Sequence, residues 1–243
     1  MAEGTLPTVR ALWVYLGASP RLWLLLTLGA YVGALRLQAL LGGSPVANPV
    51  ALAVAALVGV LALTGTPYAT YFDGAQFVHF LLGTATVALA IPLRRQWQEV
   101  RAALAPATLT LLAGNVAGAL AAMAVVRLWG APTELVATIA PRGVTAPVAM
   151  AVAEKVGGLP SLTAVLVIAS GILGAALGPP LLTALRVRDM AARGLALGMA
   201  AHGIGTARAF QVDLRAGTFA GFAMALSTLL TSAVVPWLVP LLA

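Results

Sequence analysis

Pro141-Arg142-Gly143-Val144-Thr145-Ala146-Pro147-Val148-Ala149-Met150 interrupts an otherwise membrane-compatible stretch. Both prolines lack an N–H, and Gly143 frees the backbone between them, so no continuous helix is expected through 141–147. Irregular backbone at membrane depth persists only where protein buries it or where it lines a wet cavity. An arginine at that depth is costly unless something uses it. The stretch therefore reads as half of a substrate site, held by the rest of the chain.

The chain around it has 243 residues, 61% hydrophobic and 9% charged, with mean hydropathy +0.99. Soluble domains carry roughly 25% charged residues, so this is an integral membrane protein. Runs over 37–72, 102–126, 157–185 and 216–243 exceed the roughly 20 residues needed to cross a bilayer. No small-residue cleavage site follows a short early apolar run, so a cleaved signal peptide is not expected. Cysteine is absent, which excludes disulfides and thiolate chemistry. Net charge +7 looks like a nucleic-acid footprint. However, the arginines lie between apolar runs, as the positive-inside bias requires, so the expected partner is a bilayer and not nucleic acid. Arginine used almost to the exclusion of lysine suggests a GC-rich bacterial genome, and hence a multi-pass protein of the bacterial cytoplasmic (inner) membrane.

Residues 1–19 read as a leader, with Leu12, Trp13, Tyr15 and Leu16 able to form a short interfacial helix. A first span follows from Arg21, with Trp13, Trp23 and Tyr31 as candidate interface anchors. Asn48-Pro49 opens a second span. The segment 68–93 is flawed for a simple span by His79, Gly83, Thr84, Thr86 and Pro92. Arg94, Arg95 and Arg101 follow it. Residues 102–127 form a strong span in which Gly114, Asn115 and Gly118 suit close helix packing. The opening stretch lies within 133–156. Next come a span over 159–185, whose glycines 171, 174 and 178 read as packing, and arginines 186, 188 and 193. Residues 193–210 are short and broken, and 216–243 form the last span. The expected fold is an all-α polytopic membrane protein with one domain over 20–243. It has about six full spans, two broken or re-entrant hairpins (68–93 and 133–156) and a broken helix over 193–210. Thr84–Ala90 resembles Thr145–Ala151, which suggests an inverted internal repeat, although small apolar residues match easily by chance.

Charge fixes the topology. A full span over 133–156 would put the 94–101 and 186–193 arginines on opposite sides, against the positive-inside rule. A re-entrant hairpin puts both on one side. A second hairpin over 68–93, entering from the cytoplasm, would bring the two tips together near the midplane.

Four polar patches then lie at membrane depth: Gly83-Thr84-Ala85-Thr86, Arg142-Gly143-Val144-Thr145, Asn115, and His202-Gly203-Ile204-Gly205-Thr206-Ala207-Arg208. Cations, hydroxyls and helix N-termini are what a small anion needs. Arg142 is a ligand contact or gate, or else half of a structural ion pair. The lack of an acidic mate in the apolar spans favours the ligand. His202 is a core histidine or a proton-coupling group, and Arg208 a ligand contact or a snorkelling side chain. Thr84, Thr86 and Thr145 either bond their own backbone or touch ligand. Asn115 reads best as interhelical glue. No nucleophile–base set, paired carboxylates, phosphate-cradling loop or metal ligand set appears. An enzyme, an ATP-driven pump, a metal and a cofactor are all unexpected.

These blocks, with Tyr71-Phe72-Asp73-Gly74, Phe80–Leu93, Gly157–Ala164, Ala192–Gly198 and Ala201–Ala209, resemble the LrgB/CidB family over roughly 20–243. Thr84 stands where the family usually has proline, and Arg142 where lysine is common. The resemblance implies two functions. Bacterial members are described as partners of small holin-like proteins (LrgA/CidA-like) that affect murein hydrolase activity and autolysis. A plant plastid relative looks like a glycolate/glycerate transporter. Broken segments with polar cores favour transport of a small organic anion, with lactate and pyruvate also in range. The alternative is a holin-associated protein that carries no substrate. Glycine-rich faces suggest a homodimer.

Overall fold

The computed structural model describes residues 17, 19–44 and 47–242, so nearly all of the expected leader lies outside the described residues. The described chain is helical. Four of its helices are long and apolar enough to cross a membrane: Pro20–Leu40, Leu104–Leu128, Pro160–Ala184 and Leu214–Leu242. This is a membrane protein. Two compact units divide at 88/89.

The first unit holds α1 (Pro20–Leu40), α2 (Pro49–Thr64) and α3 (Tyr68–Ala88). Asn48 caps α2, its side chain accepting from the Val50 and Ala51 N–H groups at 2.9 and 3.2 Å. Gly65 ends α2 at φ 64°. α1 packs on α3 where Gly74 meets the Pro20 carbonyl and the Trp23 Cβ. Trp23 is 0% exposed, edge-on to Tyr71 at 5.9 Å, and its indole N–H donates to the Gly17 carbonyl at 2.8 Å. Trp23 is therefore core and not an interface anchor, which explains the Tyr71–Gly74 block as its packing surface. Tyr31 is exposed, as an anchor requires.

The expected hairpin over 68–93 is not what forms. α3 runs unbroken through Gly83, Thr84 and Thr86 to Ala88. Thr84 donates to the Leu81 carbonyl at 2.8 Å, a back-bond that leaves the helix intact. The Thr86 side chain lies outside the described part of the structure. The only interruption falls at Leu89. Thr145, by contrast, is the extended residue just before a helix, so the two similar stretches differ at the threonine where the break was expected.

The second unit begins with α4 (Ala90–Arg95) and α5 (Trp97–Ala102), followed by the span α6 (Leu104–Leu128). Then come α7 (Thr133–Ile139) and α8 (Ala146–Lys155), the span α9 (Pro160–Ala184), α10 (Met190–Val212) and the span α11 (Leu214–Leu242). α7 and α8 form a hairpin over the expected 133–156 segment. Val136, Ala137 and Ala140 on one arm share a core with Val152 on the other, and with Met123 and Val239 near the ends of α6 and α11. Thr163, in the first turn of α9, donates to the Thr138 carbonyl at 2.9 Å. Ser170, about 10 Å further along α9 at 1.5 Å per residue, donates to the Arg142 carbonyl at 3.3 Å. The chain thus descends along α7, turns beside the middle of α9, and returns along α8 to the end where α9 starts.

α10 is a second hairpin, not the merely broken helix expected over 193–210. His202 has φ 39° and ψ −125°, and the helix reverses there. A Cβ on Gly205 would overlap the Leu197 carbonyl, an approach impossible along one straight helix. Leu197 and Ala209 share a core with Ala216 and Ala220 of α11. The first arm, 190–201, runs parallel to α11: bare glycines 194 and 198 meet the Ala216 and Ala220 carbonyls. The return arm, 203–212, runs antiparallel to it, with Thr206 facing Met224 and Phe210 facing Gly217.

The ion pairs Arg215–Glu99 at 2.7 Å and Arg215–Asp189 at 3.0 Å join α11, α5 and the base of the second hairpin. Both arginine clusters therefore lie at one end of the bundle, as the charge argument required. The second hairpin enters from that arginine end and the first from the opposite end. Two hairpins thus enter the bundle from opposite ends and meet inside it, but the second is 190–212 and not the expected 68–93.

Candidate functional site

Where the two tips meet, a cavity of about 130 Å³ is lined by Gly114, Asn115, Gly118 and Ala119 of α6, by Ala140, Arg142 and Gly143, by Met199 and Ala200, and by Thr231 of α11. By the volume of liquid water, that space holds roughly four waters. It suits a small molecule, not a drug-sized one.

The first tip presents Arg142 because its loop is locally tied. The Arg142 N–H bonds the Ile139 carbonyl at 3.2 Å, and the Val144 N–H bonds that of Pro141 at 3.3 Å. With its backbone held, Arg142 reaches across to the Gly118 carbonyl at 3.4 Å. No ion pair to Arg142 occurs among the described residues. A guanidinium has five donors in a planar fork, and one carbonyl at that distance uses little of this capacity. At Gly143 the tip stands beside the other elements: a Cβ there would be in ordinary contact, 3.8 Å from the Met199 carbonyl and 4.0 Å from the Asn115 Oδ1.

The opposite wall is a polar pair. Asn115 donates to the Leu111 carbonyl at 2.7 Å and to Ser227 of α11 at 3.0 Å. Thr231 donates to the Asn115 Oδ1 at 3.4 Å. Asn115 is thus interhelical glue, as its sequence setting suggested, and also lines the cavity. Thr231, Ser227 and Met199 were not singled out from sequence. The signal for the first two was a serine and a threonine four apart on one face of an apolar helix.

The candidates over 202–208 belong to the second hairpin. His202 is buried, with its Nε2 3.0 Å from the Val167 carbonyl. Its ring fills the groove left by Gly171, where a Cβ would lie 2.6 Å from Cε1. Thr206 donates to the His202 carbonyl at 2.8 Å, and Gly205 is where the arms touch. Gly203 follows the turn residue and lies near Met224. Arg208 donates to Gln211 at 3.0 Å. Thr145 precedes α8 and makes no capping bond. Gly83, Thr84 and Thr86 belong to the other unit. Glycines 171, 174 and 178 pack against His202, Ala201 and Leu197, as their packing reading required.

With this geometry in hand, comparison with known proteins is informative. Residues 27–241 match the LrgB-like family. The chain belongs to that family. It is 34% identical over 191 residues to the Bacillus subtilis protein YwbG, covering 79% of this chain and 85% of that one. It is 30% identical over 218 residues to the holin-like protein CidB of Staphylococcus aureus (90% and 95%). It is also 30% identical over 196 residues to the holin-like protein CidB of Staphylococcus epidermidis (81% and 86%). No solved structure matches the chain.

Proposed function

We propose that this LrgB-family protein is a secondary transporter or exchanger of small carboxylates across the bacterial cytoplasmic membrane, with no enzymatic step and no cofactor. One observation carries the reading: Arg142, with no ion pair among the described residues, and the Asn115–Thr231 pair line a small cavity where two opposed hairpins meet. Discontinuous helices that bring irregular backbone to the midplane are how secondary transporters build substrate sites. An arginine fork matches a carboxylate in shape and charge. Glycolate, glycerate, lactate and pyruvate all offer that group at suitable size.

A second reading is favoured by the name of the staphylococcal relatives, holin-like protein CidB. In it the chain modulates murein hydrolase activity and autolysis beside a small LrgA/CidA-like membrane protein and carries no substrate. Most glycines of α9 and α10 are packed within this chain, so a homodimer would use other glycine faces.

Purified protein in liposomes separates the two. Exchange of labelled glycolate, glycerate, lactate or pyruvate is expected, abolished by Arg142→Ala and partly retained by Arg142→Lys. Absence of flux of all four by folded protein would favour the holin-associated reading.

A further inference from the structure

We propose that small anions reach the inner cavity from the arginine end through a groove between α6 and the first arm of the second hairpin, with Met199 as the gate of that groove. What travels rests on the transporter reading; the path rests on geometry alone.

Two cavities follow one another along the same pair of elements. The outer one, about 530 Å³, opens at the arginine end, with Glu99, Asp189 and Arg215 in its lining. It extends along α6 as far as Thr110 and along the hairpin arm as far as Leu195. The inner cavity takes up at Gly114 and Met199 and ends at Arg142. About one helical turn separates the two on each element. Met199 occupies that turn. A Cβ on Gly114 would lie 2.5 Å from its Sδ and 2.9 Å from its Cε, so the thioether rests on bare α6 backbone between the cavities.

This is the arrangement of a side-chain gate. Methionine is unbranched with three rotatable bonds, so its end swings aside without backbone movement. Gly114 gives it a seat; any side chain there would wedge it. One turn further on, Gly118 has open space where its Cβ would be, so the groove widens again past the methionine. The outer mouth carries Arg215, held by Glu99 and Asp189. The arginines at 94, 95, 101, 186, 188 and 193 flank that end and raise the local concentration of anions.

The absence of cysteine makes the test direct. Single cysteines replace Thr110, outside the gate, and Gly118, inside it, in the full chain in membrane vesicles. A small anionic, membrane-impermeant methanethiosulfonate is applied from the arginine end. Thr110→Cys is expected to react at one rate whether residue 199 is Met or Ala. Gly118→Cys is expected to react about tenfold faster with Met199→Ala, as a closed state loses its advantage. A Gly118→Cys rate unaffected by Met199→Ala, or reaction from the opposite end alone, overturns the proposal. Should Met199→Ala not accumulate, Met199→Val carries the same expectation at smaller size. Labelling that follows this pattern without carboxylate exchange in liposomes would remove the transport reading and leave the gated path. Exchange without this pattern would do the reverse.

Discussion

The two hairpins of the second unit reverse the chain at the same depth by different means. The first spends six residues, 140–145, between two helices, and its polar backbone is met piecemeal by local turns and by Ser170. The second spends one, His202, whose left-handed φ of 39° is a conformation that non-glycine residues seldom adopt. The cost is met by close packing: glycines 194, 198 and 205 meet backbone carbonyls, and Gly171 admits the His202 ring. A loop-built tip leaves room for a half-buried arginine. A packing-built tip leaves none, and the residues around it serve the turn.

The contrast is sharpest under substitution. Gly205→Val puts a branched side chain where even a Cβ overlaps the Leu197 carbonyl. Overpacking of side chains alone costs about 1–3 kcal/mol, and here rigid backbone must move, so loss of the folded, monodisperse protein is expected by size-exclusion chromatography. A stable, active Gly205→Val would show that the two arms are not in contact. Thr138→Val tests the first hairpin at its base. The Thr138 hydroxyl accepts from the Leu159 N–H at 2.8 Å and donates to the Glu134 carbonyl at 2.7 Å. Removing it strands the part-buried Leu159 N–H at a cost of about 1 kcal/mol, read as a lowered thermal midpoint.

Pro147→Ala should do less. It sits in the first turn of α8, where a missing N–H is harmless, so a change within about 1 kcal/mol is expected in the same melt. The smallest effect is electrostatic. Asp189 caps the second hairpin; the Ala192 N–H bond at 2.8 Å chiefly, and Arg215 after it, hold its carboxyl below the usual range. A lowered folded pKa gives stability that is present above about pH 4 and lost as pH falls through the folded value. Asp189→Asn should therefore flatten the acid side of the stability profile, by little, because the pair is about half exposed.

The first hairpin was legible because Pro141, Gly143 and Pro147 advertise a break, and because charge topology demanded a return. Its partner was misplaced. Thr84 and Thr86 looked like the mirror of Thr145, but a threonine that bonds its own helix does not break it, and Pro92 acts only at Leu89. The reversal at His202 carries no proline. Its trace in the sequence was the glycine spacing at 194, 198 and 205, which reads equally as ordinary helix packing until the two arms are seen to touch. Arg142 and Asn115 were found as polar residues out of place in apolar runs. Thr231 and Met199 were not, since a threonine and a methionine on a spanning helix are unremarkable until the facing element is known.

The central claim is that the tips of two oppositely entering hairpins meet at Arg142. Gly143→Cys with Met199→Cys, in this cysteine-free chain, tests it directly. A Cβ at 143 stands 3.8 Å from the Met199 carbonyl. A short bifunctional methanethiosulfonate, each cysteine thiolate displacing one sulfinate, should link the two, so that cleavage at a protease site placed at 186–188 leaves one band on a non-reducing denaturing gel. Two fragments, with each single cysteine still reactive by itself, would contradict the account.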